Sequence, residues 1–393
     1  MRIIHAISSI SRVAGGPSYA VVAMARAAAA LGHDVTIHTT DYLSPEGPSD
    51  SESAVGKGRV RTVVHRHLAP PQLTLQASIG MARALSAEIP KADVVHLHSM
   101  YLFHDYWVRR VCLRAKVPYI FRPHGTLDPF IYNRHRFRKR IVEALFQDSV
   151  TRDATLIHYT SDQEQELAQP YVFGRPGVVV PLGVDLTRFD NMPSREAFRA
   201  RHPETRGKRI VLFLSRVSFK KGLELLIPAF AEATESRDDM HLVIAGPDDG
   251  FEAQARALVQ QNGIQDRTTF TGHLNAEQVI EALAAADVFT LPSHTENFGI
   301  AAAEAIAAGV PSILSDQIQI APPAEADGAC ISLSRDQEMW TDEILHLLSN
   351  PTEASEMSRR ARAHAKATYS WDAIAACLVA MYETAIAKRR TAS

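Results

Sequence analysis

VFTLPSHTENFGIAAAEAIAAGVPSIL, residues 288–314, contains the repeating unit of the whole chain. Val288 to Leu291 is a short apolar run closed by Pro292. Phe298 to Ala308 has the alanine-rich spacing of a helix that stops at Gly309, and Ser312 to Leu314 is apolar again. Strand, helix and strand joined by short loops make a βαβ crossover, and such a unit requires parallel strands.

The same rhythm runs outward in both directions. Strands are expected near Ile3–Ala6, Val35–His38, Arg61–Val64, Val94–Leu97, Tyr119–Phe121, Leu156–Tyr159 and Val178–Val180. A second series follows near Val211–Leu214, Leu242–Ala245, Thr268–Thr271, Val288–Leu291, Ser312–Leu314 and Ile331–Leu333, with helical patterns between. The fold class is therefore α/β, with parallel sheets and crossover helices. Between the two series, Gly183, Pro193, Pro203 and the polar stretch Asn191–Arg206 interrupt the pattern. The interdomain connection is expected there, at 185–208. A chain of 393 residues exceeds what one core usually supports, about 250–300 residues, so two domains follow. The last helix, from about Trp371, carries Ile374, Cys377, Leu378 and Met381 at helical spacing.

Charge excludes some partners. With 42 basic and 44 acidic side chains the net charge is −2, so no global field recruits nucleic acid, and any anionic surface must be met by a local patch. Cys112, Cys330 and Cys377 are few and far apart without metal-ligand spacing, which points to a reducing, cytoplasmic compartment. The amino terminus reads as a strand rather than a signal peptide, and no run reaches the roughly 18 apolar residues of a spanning helix.

Chemistry-bearing residues fall in the loops after strands, where open parallel sheets bind ligands. Glu296 and Glu304 are eight positions apart, so the second is expected about two turns further along the same helix. Backbone N–H groups of Phe298, Gly299 and Ile300 at that helix start suit a phosphate or a sugar hydroxyl. Acidic capping alone would also explain the pair. SRVSFKKG, after the strand IVLFL, supplies Arg216, Lys220 and Lys221 to oppose a diphosphate, although an exposed basic turn looks the same in sequence. Gly15 and Gly16 follow the first strand and precede a helix, without the dinucleotide fingerprint. His124 in FRPHGTLDPF ends a strand and could meet a sugar hydroxyl or move a proton. His96 and His98 share one strand face, but no third ligand is evident in the sequence, so no metal site is expected.

Taken in order, the glycine loop, the HGT segment, the R-x4-K-G loop and the Glu-x7-Glu pattern resemble the retaining glycosyltransferases of family 4. The resemblance implies the GT-B fold: two Rossmann-like domains facing a central cleft, the acceptor side at 1–184 with the helix at about 371–393 packed back on it, and the donor side at 209–370. It implies a hexosyl transfer from a nucleotide diphosphate sugar, GDP-mannose or a UDP-sugar, to a saccharide or polyprenyl-diphosphate-linked acceptor in surface polysaccharide synthesis. Arg216 and Lys221 would hold the donor diphosphate, Glu296 the transferred sugar and Glu304 the ribose. Asn297, Phe298, Gly299 and Ile300 would line phosphate and sugar, Gly15 and Gly16 would sit beneath the diphosphate, and His124 would lie near the reaction centre. No metal or other cofactor is implied, since the cations stand where magnesium would. Many relatives have proline before the lysine where this chain has VSFKKG, so Lys220 and Lys221 are both candidates for the contact.

NRHRFRKRIVEALF, ending at Phe146, sets Arg134, Arg136, Arg138, Lys139 and Arg140 beside Phe137, Ile141, Val142 and Leu145 on one expected amphipathic helix. Such a helix at 134–146 either docks on its own domain or holds the enzyme peripherally at the inner face of an anionic membrane. Two other functions fit the fold: a nucleotide-sugar 2-epimerase and a non-catalytic nucleotide-sugar-binding protein.

Overall fold

A computed structural model describes residues 1–11, 16–43, 51–71, 74–132 and 136–391. The chain divides into two compact units, one of Met1–Gly183 with Trp371–Ser393 and one of Val184–Ser370.

In the first unit, β1 (Arg2–Ala6), β2 (Asp34–Thr40), β3 (Ser51–Val55), β4 (Gly58–His65), β5 (Val94–His98), β6 (Tyr119–Arg122), β7 (Leu156–Tyr159) and β8 (Gly177–Val179) form one sheet. Its order is β3-β4-β2-β1-β5-β6-β7-β8. Every neighbouring pair is parallel except β3 on β4. β3 was not foreseen, and its sequence explains why: SESAV is exposed at four of its five positions and carries no apolar face. The helix Trp371–Thr391 belongs to this unit, with Leu378, Met381 and Tyr382 buried.

In the second unit, β9 (Arg209–Leu214), β10 (Met240–Ala245), β11 (Thr268–Gly272), β12 (Val288–Leu291), β13 (Ser312–Ser315) and β14 (Ile331–Leu333) form a wholly parallel sheet of order β11-β10-β9-β12-β13-β14. Counted within the unit, this is the doubly wound order 3-2-1-4-5-6, whose connections diverge between β9 and β12. β10 and β12 are buried along their whole length, as continuous apolar runs covered on both faces must be.

The stretch 185–208 is not the free connection expected from its prolines. It carries the helix Arg195–Arg201 and lies in the second unit, with Phe198 buried and Arg201 Nε donating to Glu281 at 2.8 Å. Proline and glycine there delimit short helical turns instead of marking a linker. Among the described residues no helix is long and apolar enough to cross a membrane.

Phe213, on the central strand of the second sheet, is fully buried. Phe213→Ala is expected to cost about 3–5 kcal/mol, read as an earlier midpoint in chemical unfolding of the full chain; an unchanged midpoint would contradict its place in the core.

Candidate functional site

At the carboxyl ends of β9 and β12 two loops meet. The first runs from Ser215 through a single helical turn, Phe219–Lys221, to the helix Leu223–Ser236. Gly222 turns this loop at φ +79°, and a Cβ there would fall 2.0 Å from the Pro292 carbonyl oxygen, so only glycine allows the two loops to touch. The second loop, Pro292–Gly299, is tied to the first by the His294 amide, which donates to the Lys220 carbonyl at 2.8 Å. At Glu296 it is tied to the loop after β13 (Ser312–Ser315): the Glu296 amide donates to Gln317 O at 3.1 Å and its carbonyl accepts from the Gln319 amide at 3.2 Å.

These ties aim two side chains at each other. The Lys221 ammonium donates to the Glu296 carboxylate, with both side chains almost covered. Burial on its own would raise the Glu296 carboxyl, but Lys221, Lys220 and Arg216 together hold it below the usual carboxylate range. Of the two lysine candidates, Lys221 donates a hydrogen bond to Glu296, and Lys220 acts on the same carboxylate through its charge. Arg216 lies apart from the pair at the surface, where it donates to Asp249 at 2.7 Å.

The helix that follows begins later than its sequence pattern suggests. It spans Ile300–Ala308, with Gly299 as its left-handed N-cap at φ +73°. Ile300, Ala301 and Ala302 thus carry the leading amides, and Ala303 N already donates back to Gly299 O at 3.0 Å. Phe298 is buried, edge-on to Tyr369 with ring centroids 5.7 Å apart, so its side chain is core and only its backbone faces the loop. Glu296 sits before this helix, bridged to Ile318. The expectation that the two glutamates share one helix is therefore corrected. Asn297 lies half-buried between them.

Glu304 accepts from Arg188 Nη1 at 2.5 Å, and burial raises its carboxyl despite that cation. Sequence reasoning missed Arg188 because it falls in the stretch taken as a linker. The two positions lie 116 residues apart in the chain, a separation no motif encodes.

In the first unit Gly16 is the first residue of the helix Gly16–Ala30, and Gly15 lies outside the described residues. His124 follows β6 in the left-handed region at φ +52°, uncommon for a residue with a Cβ. The next amide, Gly125 N, donates to the buried Glu164 carboxylate at 2.9 Å. His124 Nε2 lies 3.1 Å from His98 Nδ1. The partners of His96 and His98 were missed: His5, His158 and Tyr382 pack against them, all fully buried. Strand register was the available signal, because β1 beside β5 sets His5 opposite His96.

Comparison with known proteins shows the family and the fold. Residues 15–183 match the model of the glycosyl transferase 4-like domain, and residues 194–364 match that of the glycosyl transferases group 1. The GDP-mannose:cellobiosyl-diphosphopolyprenol alpha-mannosyltransferase of Xanthomonas campestris is 26% identical over 400 residues, covering 100% of this chain and 99% of that one. Among solved structures, sucrose-phosphate synthase from Thermosynechococcus elongatus superposes with a TM-score of 0.77 at 22% identity, covering 98% of this chain and all of that one. Anabaena HepE in complex with UDP gives a TM-score of 0.76 at 16% identity over 98% of this chain and 100% of that one. At these identities the two structures share the fold.

The depressed Glu296 carboxyl has a consequence for stability. A carboxyl whose folded pKa lies below its unfolded value, near 4.3, contributes stability above that pH and loses it as the pH falls through the folded value. Melting temperatures from pH 7 to pH 3 should therefore fall less steeply below about pH 4 in Glu296→Gln than in the wild type. Identical acid limbs would remove the ion pair as the cause.

Proposed function

The chain belongs to the family 4 type of GT-B glycosyltransferases, and on that premise we propose that it moves a hexosyl group from a nucleoside diphosphate sugar to a lipid-linked saccharide, with retention at the anomeric carbon. The observation that carries this reading is the Lys221–Glu296 pair, an ammonium and a carboxylate held almost covered at the meeting of two strand-end loops. A buried ion pair is costly to maintain for stability alone, since replacing it by apolar side chains is often neutral or favourable. It suits a site that needs a fixed cation for a leaving diphosphate and a carboxylate for sugar hydroxyls.

Each residue then has a role. Lys221 meets the diphosphate, with Arg216 joining once it leaves Asp249, an exposed pairing that costs little to break. Glu296 accepts from hydroxyls of the transferred sugar, and Glu304 from the ribose. The leading amides of the helix Ile300–Ala308 face phosphate oxygens. Within the first unit, His124 is assigned to a sugar hydroxyl and Gly16 to a phosphate, as the family resemblance implies. In the transfer the bond from the anomeric carbon to the leaving phosphate breaks, and the bond to the acceptor oxygen forms on the same face. The acceptor proton goes to the departing phosphate oxygen, whose charge the cations carry. The full-length likeness to a GDP-mannose-dependent enzyme makes GDP-mannose the first donor to offer, with UDP-sugars second.

The acceptor class is supported by an unusual surface. Phe137, Ile141 and Leu145, spaced four apart along a continuous helical stretch, are 79%, 49% and 73% exposed. They do not dock on the chain's own core. Arg138 and Arg140 are exposed beside them, while Arg136 is held by Glu143 at 3.0 Å and stacks over Tyr132; Arg134 lies outside the described residues. An apolar stripe flanked by cations matches an anionic bilayer surface, which would put the enzyme at the cytoplasmic face of the plasma membrane beside a polyprenyl-linked acceptor.

Nucleotide release from GDP-mannose and UDP-sugars, with polyprenyl-diphosphate saccharides as acceptors, tests the reaction. Lys221→Ala and Glu296→Ala are each expected to lower turnover by about 10²–10³-fold; full activity in either would sink the site assignment, and release that ignores the acceptor would favour a different reaction. For the surface, Phe137→Ser with Leu145→Ser should reduce sedimentation with phosphatidylglycerol vesicles, and Arg138→Gln or Arg140→Gln should each weaken it by about 1 kcal/mol. Undiminished vesicle binding in all of these would exclude the helix as the contact.

A further inference from the structure

Inside the first unit, five imidazoles and one phenol make a continuous hydrogen-bonded line. His158 Nε2 is 2.8 Å from the Val180 carbonyl oxygen, and His158 Nδ1 is 3.2 Å from His96 Nε2. His96 Nδ1 is 3.1 Å from the Tyr382 hydroxyl, which lies 3.3 Å from His5 Nε2. His5 Nδ1 is 2.9 Å from His98 Nε2, and His98 Nδ1 is 3.1 Å from His124 Nε2. His158, His96, His98, His5 and Tyr382 are fully buried, whereas His124 is half-buried at the end of the line.

The direction of every hydrogen bond in this line follows from its first member. A carbonyl oxygen can only accept, so His158 donates from Nε2, and its Nδ1 in a neutral ring must accept. His96 then donates from Nε2 and accepts at Nδ1, where the donor among the described residues is the Tyr382 O–H. The Tyr382 oxygen accepts from His5 Nε2–H, His5 Nδ1 accepts from His98 Nε2–H, and His98 Nδ1 accepts from His124 Nε2–H. Each imidazole donates once and accepts once, with no clash of two protons or two lone pairs. The sequence ends on His124 Nδ1, which has no hydrogen-bond partner among the described residues.

We propose that His158, His96, Tyr382, His5 and His98 are positioning residues that fix His124 as its Nε2–H tautomer, so that its Nδ1 lone pair is always available to accept from a substrate hydroxyl. The use of that lone pair rests on the transferase reading above; the tautomer itself does not. The argument requires neutral rings, and the surroundings supply them. Burial lowers all five imidazoles, His5 to about 3, and the Arg122 guanidinium lowers them further. Arg122 is itself buried, with Nη1 2.9 Å from Met24 sulfur and Nε and Nη2 unpaired, so its charge is poorly screened. Glu164 is the carboxylate that faces this guanidinium, and it also receives the amides of Gly125 and Thr160.

Tyr382 is the joint of the line, since its hydroxyl alone both donates to one half and accepts from the other. Its removal would let His5, His98 and His124 reverse together, placing the proton on His124 Nδ1. Long-range nitrogen–proton spectra of the full chain carrying ¹⁵N-histidine distinguish the two tautomers directly. The wild type is expected to show His124 and the four buried histidines all as Nε2–H. Tyr382→Phe is expected to show mixed tautomers at His124 and a lower kcat, with the donor KM unchanged. A wild-type His124 protonated at Nδ1, or a Tyr382→Phe protein with unaltered His124 tautomer, overturns the proposal whatever the enzyme transfers. Stoichiometric zinc in the purified protein would overturn it too. His5, His96 and His98 have ligand atoms within 4.8 Å of one another, and a metal there would take lone pairs the line uses. If the tautomers are as expected but no donor is turned over, the transferase reading fails and the line stands.

Discussion

Parallel strands buried on both faces leave nowhere for working polar groups except the strand ends. β10 and β12 are buried at every position, so the middle of the second sheet leaves room for exposed polar groups only at its rim. The strand order then selects a place on that rim. Connections diverge between β9 and β12, and the loops leaving those two strands are the ones that bring Lys221 to Glu296. Gly222 belongs to the same constraint: the loops can share a hydrogen bond only because no Cβ stands between Gly222 and the Pro292 carbonyl.

The first unit answers the same constraint differently. Beside the buried Arg122 and Glu164, its interior holds a line of imidazole rings. A carboxylate in that interior would need its own counter-charge, whereas an imidazole can be satisfied by one donor and one acceptor without net charge. Strand geometry provides those contacts at regular intervals: His5 and His96 are register partners on adjacent strands, and His96 and His98 are two apart on the same face. The helix Trp371–Thr391 contributes the missing atom, because Tyr382 supplies the hydroxyl between His96 and His5.

What was legible in the sequence is what depends on local pattern. The expected strands appear in the structure, because a short apolar run between a helix and a turn has few other uses in a parallel sheet. β3 escaped because it is an exposed antiparallel addition with no buried face. The loops bearing Arg216, Lys221, Glu296 and His124 were legible because each follows a strand. Their pairings were not. Arg188 reaches Glu304 through the fold rather than through spacing, and prolines around it disguised structured chain as a connection. The start of the helix at Ile300 was misplaced because alanine-rich spacing extends through a glycine that the structure uses as a left-handed cap.

The histidines show a sharper limit. In sequence His96 and His98 raise only the question of a metal, and without an evident third ligand no metal site is expected. The structure supplies more partners than a metal question anticipates, and it supplies them with alternating donor and acceptor atoms. Residue type and spacing cannot reveal that alternation. It depends on one carbonyl, Val180, whose inability to donate sets the sense of every bond beyond it. A backbone atom with no side-chain chemistry thus decides which nitrogen of His124 is left with a free lone pair.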